Sequence, residues 1–338
     1  MVTTATPKTI AVLGAGSWGT ALALLLARNG HQIKLWGYKA EFQRLLLKEK
    51  ENHIYLPGYS FPENLLPVID LETTITNSDE VLIAVPSKGF RQLLETAKKP
   101  LSTLSKLSWA SKGFDQQNQG LLHEVVREVL DPAPIPMVIS GPSFALEVAS
   151  QQPTAITLAG ERLDQLEETA NLYRNEQFRV YTSDDIIGVE VGGALKNVMA
   201  IAVGISQGLG LGANAKAALI TRGLAEMSRL GQALGGRQET LMGLSGAGDL
   251  FLTCSDTQSR NLRFGQAIGK GASIQEAFGT IGQVVEGYDA TAIAYKISQQ
   301  NRIDMPIVTQ TFNVLYDNLS PAEAVNNLLR REPKPEHH

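Results

Sequence analysis

The sequence predicts an α/β fold in two parts: an N-terminal doubly wound, mainly parallel sheet, followed by a C-terminal all-helical domain. Three observations carry this expectation. Short apolar, β-rich runs alternate with helical patterns through the first half of the chain. After about Asp185 the strand signal fades and amphipathic helical patterns replace it. A chain of 338 residues is also long for a single core, which favours two domains. The expected partition is a sheet domain over 1–185, a helical domain over 186–331 and a flexible tail over 332–338.

Thr9–Leu13 reads as the first strand and ends at Gly14-Ala15-Gly16-Ser17-Trp18-Gly19. The strong helix former over 20–27 follows, closed by Asn29-Gly30, with the glycine suited to the position just past a helix. Gln32–Trp36 reads as the next strand, so strand, turn, helix and strand form one βαβ unit. Further strands are expected over 80–85, 107–110, 137–140, 155–158 and 178–181. Helical patterns such as 120–130 and 162–173 separate several of them. In the second half, 188–209, a helix opening at Ile220, 262–270, 284–300 and 305–317 read as helices. The helix at Ile220 has apolar residues at 220, 224, 227 and 234. Ligands of doubly wound sheets gather at the carboxyl ends of the strands. That draws attention to the turns Val85-Pro86-Ser87, Ser111-Lys112-Gly113 and Gly141-Pro142-Ser143.

Composition excludes several classes. Hydrophobic content of 43% with 19% charged residues is that of an ordinary globular protein. A net charge of −4 gives no reason to expect nucleic-acid binding, although a local basic site for a small anion stays open. The single cysteine, Cys254, cannot form an intrachain disulfide, which agrees with a reducing compartment. It is read as a packed thiol in preference to a nucleophile. The N-terminal stretch lacks an apolar signal core, and no uninterrupted apolar run is long enough for a membrane span. The polar closing segment, with its two histidines, is read as a frayed tail outside the chemistry.

The glycine turn after the first strand has a physical purpose in a Rossmann-type sheet. Gly14 permits the tight turn, Gly16 lets the backbone approach a pyrophosphate, and Gly19 lets helix and strand pack closely. The amides at the helix start then face an anion. A structural βα turn without a ligand is the bland alternative. An acidic residue usually ends the second strand of an NAD-selective site. Here Trp36-Gly37-Tyr38-Lys39 stands there. With no carboxylate to repel a 2′-phosphate, NADP is expected to be accepted; Lys39 either attracts that phosphate or is a solvated charge.

Many dehydrogenases use histidine for proton transfer, yet the second half holds none before the tail. Lys196 is the candidate instead. It lies among apolar and small residues over 189–203, where burial drives an ammonium toward neutrality and makes it a usable acid and base. A lysine snorkelling from a helix edge is the alternative. Gly192 and Gly193 would weaken this helix unless something approaches it closely. Ser245-Gly246-Ala247-Gly248-Asp249 reads as a glycine-rich turn entering a helix, with Asp249 either a helix cap or a partner for an ammonium. Ser259-Arg260-Asn261 offers donors suited to a phosphate, though such stretches are also common on surfaces. Lys112 offers a second cation toward the cleft.

Taken together, these motifs resemble the bacterial-type NAD(P)-dependent glycerol-3-phosphate dehydrogenase family. The resemblance runs from the glycine turn through Tyr55-Leu56-Pro57-Gly58, Val85-Pro86-Ser87, Ser111-Lys112-Gly113 and Gly141-Pro142-Ser143-Phe144-Ala145. It continues through Gly193-Ala194-Leu195-Lys196-Asn197-Val198, Gly246-Ala247-Gly248-Asp249 and Ser259-Arg260-Asn261. It implies Lys196 as the catalytic residue, with Lys112, Gly141, Ser143, Lys196, Asp249, Ser259, Arg260 and Asn261 around the substrate. It implies Ser17, Trp18, Tyr38, Lys112, Ala145, Arg260, Val284 and Glu286, beside the three glycines, around NAD or NADP. Read from the residues alone, Glu286 is equally a favourable carboxylate at a helix start and Val284 a core residue. The resemblance further implies a small phosphate substrate, no metal, no membrane insertion, a homodimer, a cytoplasmic location and a role in glycerophospholipid precursor synthesis. Two rivals stay open: a two-domain reductase of a 2-ketoacid or β-hydroxyacid, and a protein that senses NAD(P) without turning it over.

Overall fold

The central strands of the first half are buried on both faces, so they read as continuous apolar runs. In β1 (Thr9–Leu13), Ile10 and Val12 join the core on one side of the sheet, while Ala11 and Leu13 join the core on the other. The structure, a computed structural model, describes residues 6–332 and 335. The rest of the tail expected over 332–338, including both closing histidines, lies outside those residues.

The sheet domain runs β1, α1 (Ser17–Arg28), β2 (Gln32–Trp36), α2 (Ala40–Glu49), β3 (Glu51–Asn52), β4 (Leu56–Ser60), β5 (Leu65–Val68) and α3 (Leu71–Thr76). It continues with β6 (Glu80–Ile83), α4 (Ser87–Thr96), α5 (Lys98–Leu101), β7 (Lys106–Trp109), α6 (Leu122–Val129) and β8 (Ile135–Ser140). It ends with α7 (Ala145–Ala149), β9 (Thr154–Gly160), α8 (Leu163–Tyr173) and β10 (Phe178–Ser183). Eight strands form one sheet in the order β10-β9-β8-β7-β6-β1-β2-β5, and β3 and β4 form a separate antiparallel ribbon. Neighbours are parallel except β8 and β9, so the last two strands run against the other six. The chain leaves β1 toward β2 on one side and returns to β6 on the other. The switch point of the sheet, where ligands of such folds bind, is therefore the crevice between the ends of β1 and β6.

The second half contains no strand among the described residues. Its elements are α9 (Ile186–Gly208), α10 (Ala213–Ala233), α11 (Gln238–Leu241), α12 (Asp249–Ser255), α13 (Arg260–Gly269), α14 (Ile274–Ile281), α15 (Glu286–Gln300), α16 (Pro306–Tyr316) and α17 (Pro321–Leu329). Asp185 caps α9 by accepting from the amide of Gly188 at 2.8 Å. Among the described residues, α9 alone is long and apolar enough to cross a membrane. It is instead the central helix of the domain, and 89% of its most apolar window is buried by the helices around it. Apolar burial on this scale explains why a helix carrying five glycines is stable.

The expected glycine-rich turn before Asp249 is a single π-helical turn, Leu244–Gly248, running straight into α12. The residue before α12 is Gly248 in helical conformation, so Asp249 does not cap that helix and its carboxylate is free for another partner.

Candidate active site

The turn between β1 and α1 is built for a close visitor. Gly14 has φ +131°, and a Cβ there would lie 2.6 Å from the backbone of Ala84, at the end of β6. A Cβ at Gly19 would strike the carbonyl of Gly14, whereas one at Gly16 would meet nothing within 4 Å. The side of the loop at Gly16 is thus open, and the first turn of α1 has no side-chain cap. Its unused amides fit the diphosphate of a dinucleotide. Ser17 and Trp18 occupy that first turn, and Trp18, like Ala145 at the start of α7, packs against the core on one face of the sheet.

Lys196 is buried on α9, with 9% of its surface exposed. Its Nζ lies 2.6 Å from Asp249 Oδ1, while Lys112 Nζ lies 2.6 Å from Asp249 Oδ2. Two ammonium groups thus share one carboxylate, which leaves the cluster electropositive. Burial pulls the Lys196 pKa down to about 8, against the charge of Asp249, which raises it; Lys112 lowers it further. Burial alone would raise the Asp249 carboxyl, but Lys112 and Lys196 outweigh it and hold the group below its ordinary value.

The two glycines before Lys196 have the close neighbours the sequence demanded. A Cβ at Gly192 would strike the carbonyl of Ser245 in the π turn, and one at Gly193 would lie 2.9 Å from Ser140 Oγ and 3.5 Å from the Lys112 stem. Lys112 also donates to the carbonyl of Gly141 at 3.1 Å, and Ser143 Oγ donates to the same carbonyl at 2.9 Å. The turns after β7 and β8 therefore meet α9 and α12 at one point, which brings together Lys112, Gly141, Ser143, Lys196 and Asp249.

A second group lies alongside on α13 and α15. Ser259 caps α13, its Oγ accepting from the amide of Leu262 at 3.2 Å. Asn261 is occupied at both ends, donating to Asn197 Oδ1 at 2.8 Å and accepting from the amide of Gly287 at 2.9 Å. Arg260 is half-buried, and its Nη1 donates to Gln283 Oε1 at 3.2 Å. Glu286 reaches across the cleft to Ser87 at the start of α4, accepting from its Oγ at 2.5 Å and its amide at 3.3 Å. Burial raises the Glu286 pKa despite these bonds. Two further expected cofactor positions are exposed side chains: Tyr38, 81% exposed, lies just beyond β2, and Val284, 47% exposed, lies just before α15, so Val284 is not a core residue.

Several groups at the site were not singled out from sequence. Thr253 lies one turn beyond Asp249, its Oγ1 donating to the Asp249 carbonyl at 2.6 Å, a contact that the helical spacing of four makes readable. Glu190, the one carboxylate inside α9, accepts from both the amide and the ring Nδ1 of His123, at 3.2 and 2.5 Å. A lone carboxylate in so apolar a helix was its signal. Asn52, under the glycine loop, had none beyond its place before Tyr55-Leu56-Pro57-Gly58.

The comparisons with known proteins follow the same two-part division. The model for the N-terminus of NAD-dependent glycerol-3-phosphate dehydrogenase matches residues 9–165, and the model for its C-terminus matches residues 185–326. A glycerol-3-phosphate dehydrogenase [NAD(P)+] of Methylococcus capsulatus is 52% identical over 97% of this chain and 98% of its own. That of Halorhodospira halophila is 49% identical over 97% and 98%. The crystal structure of a glycerol-3-phosphate dehydrogenase from Coxiella burnetii, 46% identical, superposes with a TM-score of 0.93 over 96% of this chain and 99% of that one. A doubly wound sheet with an open glycine loop, a buried lysine on an all-helical domain, and relatives matched nearly end to end lead to one conclusion: the chain belongs to the NAD-dependent glycerol-3-phosphate dehydrogenase family.

Proposed function

We propose that the chain catalyses reversible hydride transfer between NAD(P)H and dihydroxyacetone phosphate, giving sn-glycerol 3-phosphate. The observation that carries this reading is the Lys196 amine, buried in the cleft against Asp249 with a pKa pulled down to about 8. Bound against the glycine loop, the nicotinamide cofactor supplies hydride to C2 of the ketone or accepts it from C2 of the alcohol. Lys196, as an ammonium, gives a proton to the oxygen at C2 during reduction; as an amine it removes that proton during oxidation. Asp249 holds the amine in place and keeps part of its basicity. Lys112 adds positive charge where the oxygen becomes anionic. Arg260 offers planar donors to the phosphate, and Asn261 ties α13 to α9 through Asn197 so that phosphate and reacting carbon stay in register.

One absorbance assay tests the reading: oxidation of NAD(P)H with dihydroxyacetone phosphate, with a 2-ketoacid, or with neither. Turnover with the phosphate alone is expected; turnover only with the ketoacid, or none with any, rejects it. Because no acid ends β2, NADPH should be used at least as well as NADH. A kcat/KM strongly favouring NADH would overturn that preference. The exposed Leu211, Met242 and Phe251 of the helical domain support a homodimer, to be checked by light scattering. A cytoplasmic location, in keeping with one buried free thiol, and supply of glycerol phosphate for phospholipid synthesis complete the proposal.

A further inference from the structure

The ribbon of β3 and β4 sits outside the main sheet, yet it sends one side chain under the glycine loop. Asn52 is fully buried. Its Nδ2 donates to the carbonyl of Ala15 at 3.0 Å and to Thr20 Oγ1 at 2.8 Å, and its Oδ1 accepts from the amide of Tyr55 at 3.1 Å. Both amide hydrogens and the carbonyl oxygen are therefore used. The two groups it grips flank the open turn: Ala15 precedes Gly16, and Thr20 lies in the first turn of α1.

A trans peptide is planar, and its C=O and N–H point in opposite directions. With the Ala15 carbonyl turned inward to Asn52, the amide of Gly16 is turned away from the ribbon. The carbonyl of Ala15 takes no helical bond of its own, because the first α1 bond runs from the amide of Thr20 to Gly16. Without Asn52 it would be a buried acceptor lacking a partner, and the peptide would gain by rotating to find one. That rotation would carry the Gly16 amide out of its position.

We propose that Asn52 is a positioning residue for the dinucleotide, fixing the Ala15–Gly16 peptide so that the loop amides converge on the pyrophosphate. This rests on the reading of the glycine loop as the NAD(P) site. The choice of Asn follows from the chemistry. Two donors are needed for the Ala15 carbonyl and the Thr20 hydroxyl oxygen, and one acceptor for the Tyr55 amide. Aspartate has the same shape but would set a carboxylate oxygen against a carbonyl oxygen.

The test uses the full chain and two ligands. NADPH contains the pyrophosphate; adenosine 2′-monophosphate keeps the adenine, ribose and 2′-phosphate but lacks it. Loss of a hydrogen bond that holds a buried carbonyl should weaken NADPH binding by about tenfold in Asn52→Ala. The inhibition constant of adenosine 2′-monophosphate and kcat at saturating cofactor should stay within about twofold. Asn52→Asp should bind NADPH more weakly still. Thr20→Val, which removes one anchor and leaves the Ala15 bond, should show a smaller loss in the same direction, and it serves if the Asn52 variants do not fold. Unchanged NADPH binding in Asn52→Ala, or equal losses for both ligands, overturns the proposal, since equal losses would report collapse of the ribbon. Failure of the unaltered chain to bind NADPH or NADH would instead sink the reading of the loop itself.

Discussion

At the residue scale the chemistry rests on how one ammonium is tuned. Burial pulls Lys196 down to about 8, and Asp249 limits the fall. Reduction needs the protonated form, so its rate should fall as pH rises through about 8, while oxidation should climb over the same range. Lys196→Ala should lower kcat by about 100- to 10,000-fold with NADPH binding retained, as expected for loss of an acid–base group. Near-normal turnover would remove Lys196 from the mechanism. In Asp249→Asn the charge that supports the ammonium is gone, so the alkaline limb of the reduction profile should move to lower pH. An unmoved limb would mean that the limb belongs to another group. Lys196 was legible because a lysine in an oily helix is costly without a purpose. Its tie to Asp249, 53 residues on, was legible only as a choice between cap and partner, since spacing along the chain does not state which helices touch.

At the scale of elements, the site depends on how closely α9 and α13 cross. Gly204 and Gly265 meet there: a Cβ at Gly265 would strike the carbonyl of Ile201, and one at Gly204 the carbonyl of Leu262. This contact sets the distance between Lys196 and the Arg260–Asn261 pair, because the helices cannot part without separating them. Gly265→Ala should destabilise the protein by roughly 1–3 kcal/mol through overpacking against backbone that cannot yield. In a protein of this size that lowers the melting temperature by several degrees. It should also raise the KM for the phosphate substrate; an unchanged melting temperature would mean the crossing is looser than drawn. The sequence showed α9 and the strands nearest the switch point plainly, because buried parallel strands and a central helix are nearly pure apolar runs. It did not show the β3–β4 ribbon or β5, whose exposed faces, glycine and prolines resemble a loop. Nor did it show that β9 and β10 run backward, since strand direction leaves no mark on composition.

At the scale of the whole molecule, the two halves share a seam as well as a cleft. Phe114 and Leu121, from the loop that carries Lys112, are buried in the core of the helical domain against Val191, Ala194 and Leu195. Next to them Glu190 of α9 grips both the amide and the ring of His123 at the start of α6. The loop bearing Lys112 is thereby fastened to the helix bearing Lys196. Burial alone would lower the His123 pKa, but the Glu190 bond and charge outweigh it and raise the group; Glu124 adds to the rise and Arg127 opposes it. Glu190 is itself raised, chiefly by burial. The folded pair thus keeps a proton that the unfolded histidine gives up near its ordinary value of about 6.5. Its contribution to stability is complete below that value and is lost as pH rises through the raised value in the fold. Glu190→Gln keeps the shape and an acceptor but cannot titrate, and it removes the charge that raises His123, so burial drives the histidine toward its neutral form and the folded variant gives up the proton that the unaltered pair keeps. At pH 6 that variant should be less stable than the unaltered chain by roughly 1.5–3 kcal/mol, the worth of a hydrogen bond to a charged group. Denaturant unfolding from pH 6 to 8 should show the gap narrowing as the histidine becomes neutral. A gap that stays constant across that range would mean the pair carries no titrating proton there, leaving hydrogen bonding and the apolar seam at Phe114 and Leu121 to hold the Lys112 loop.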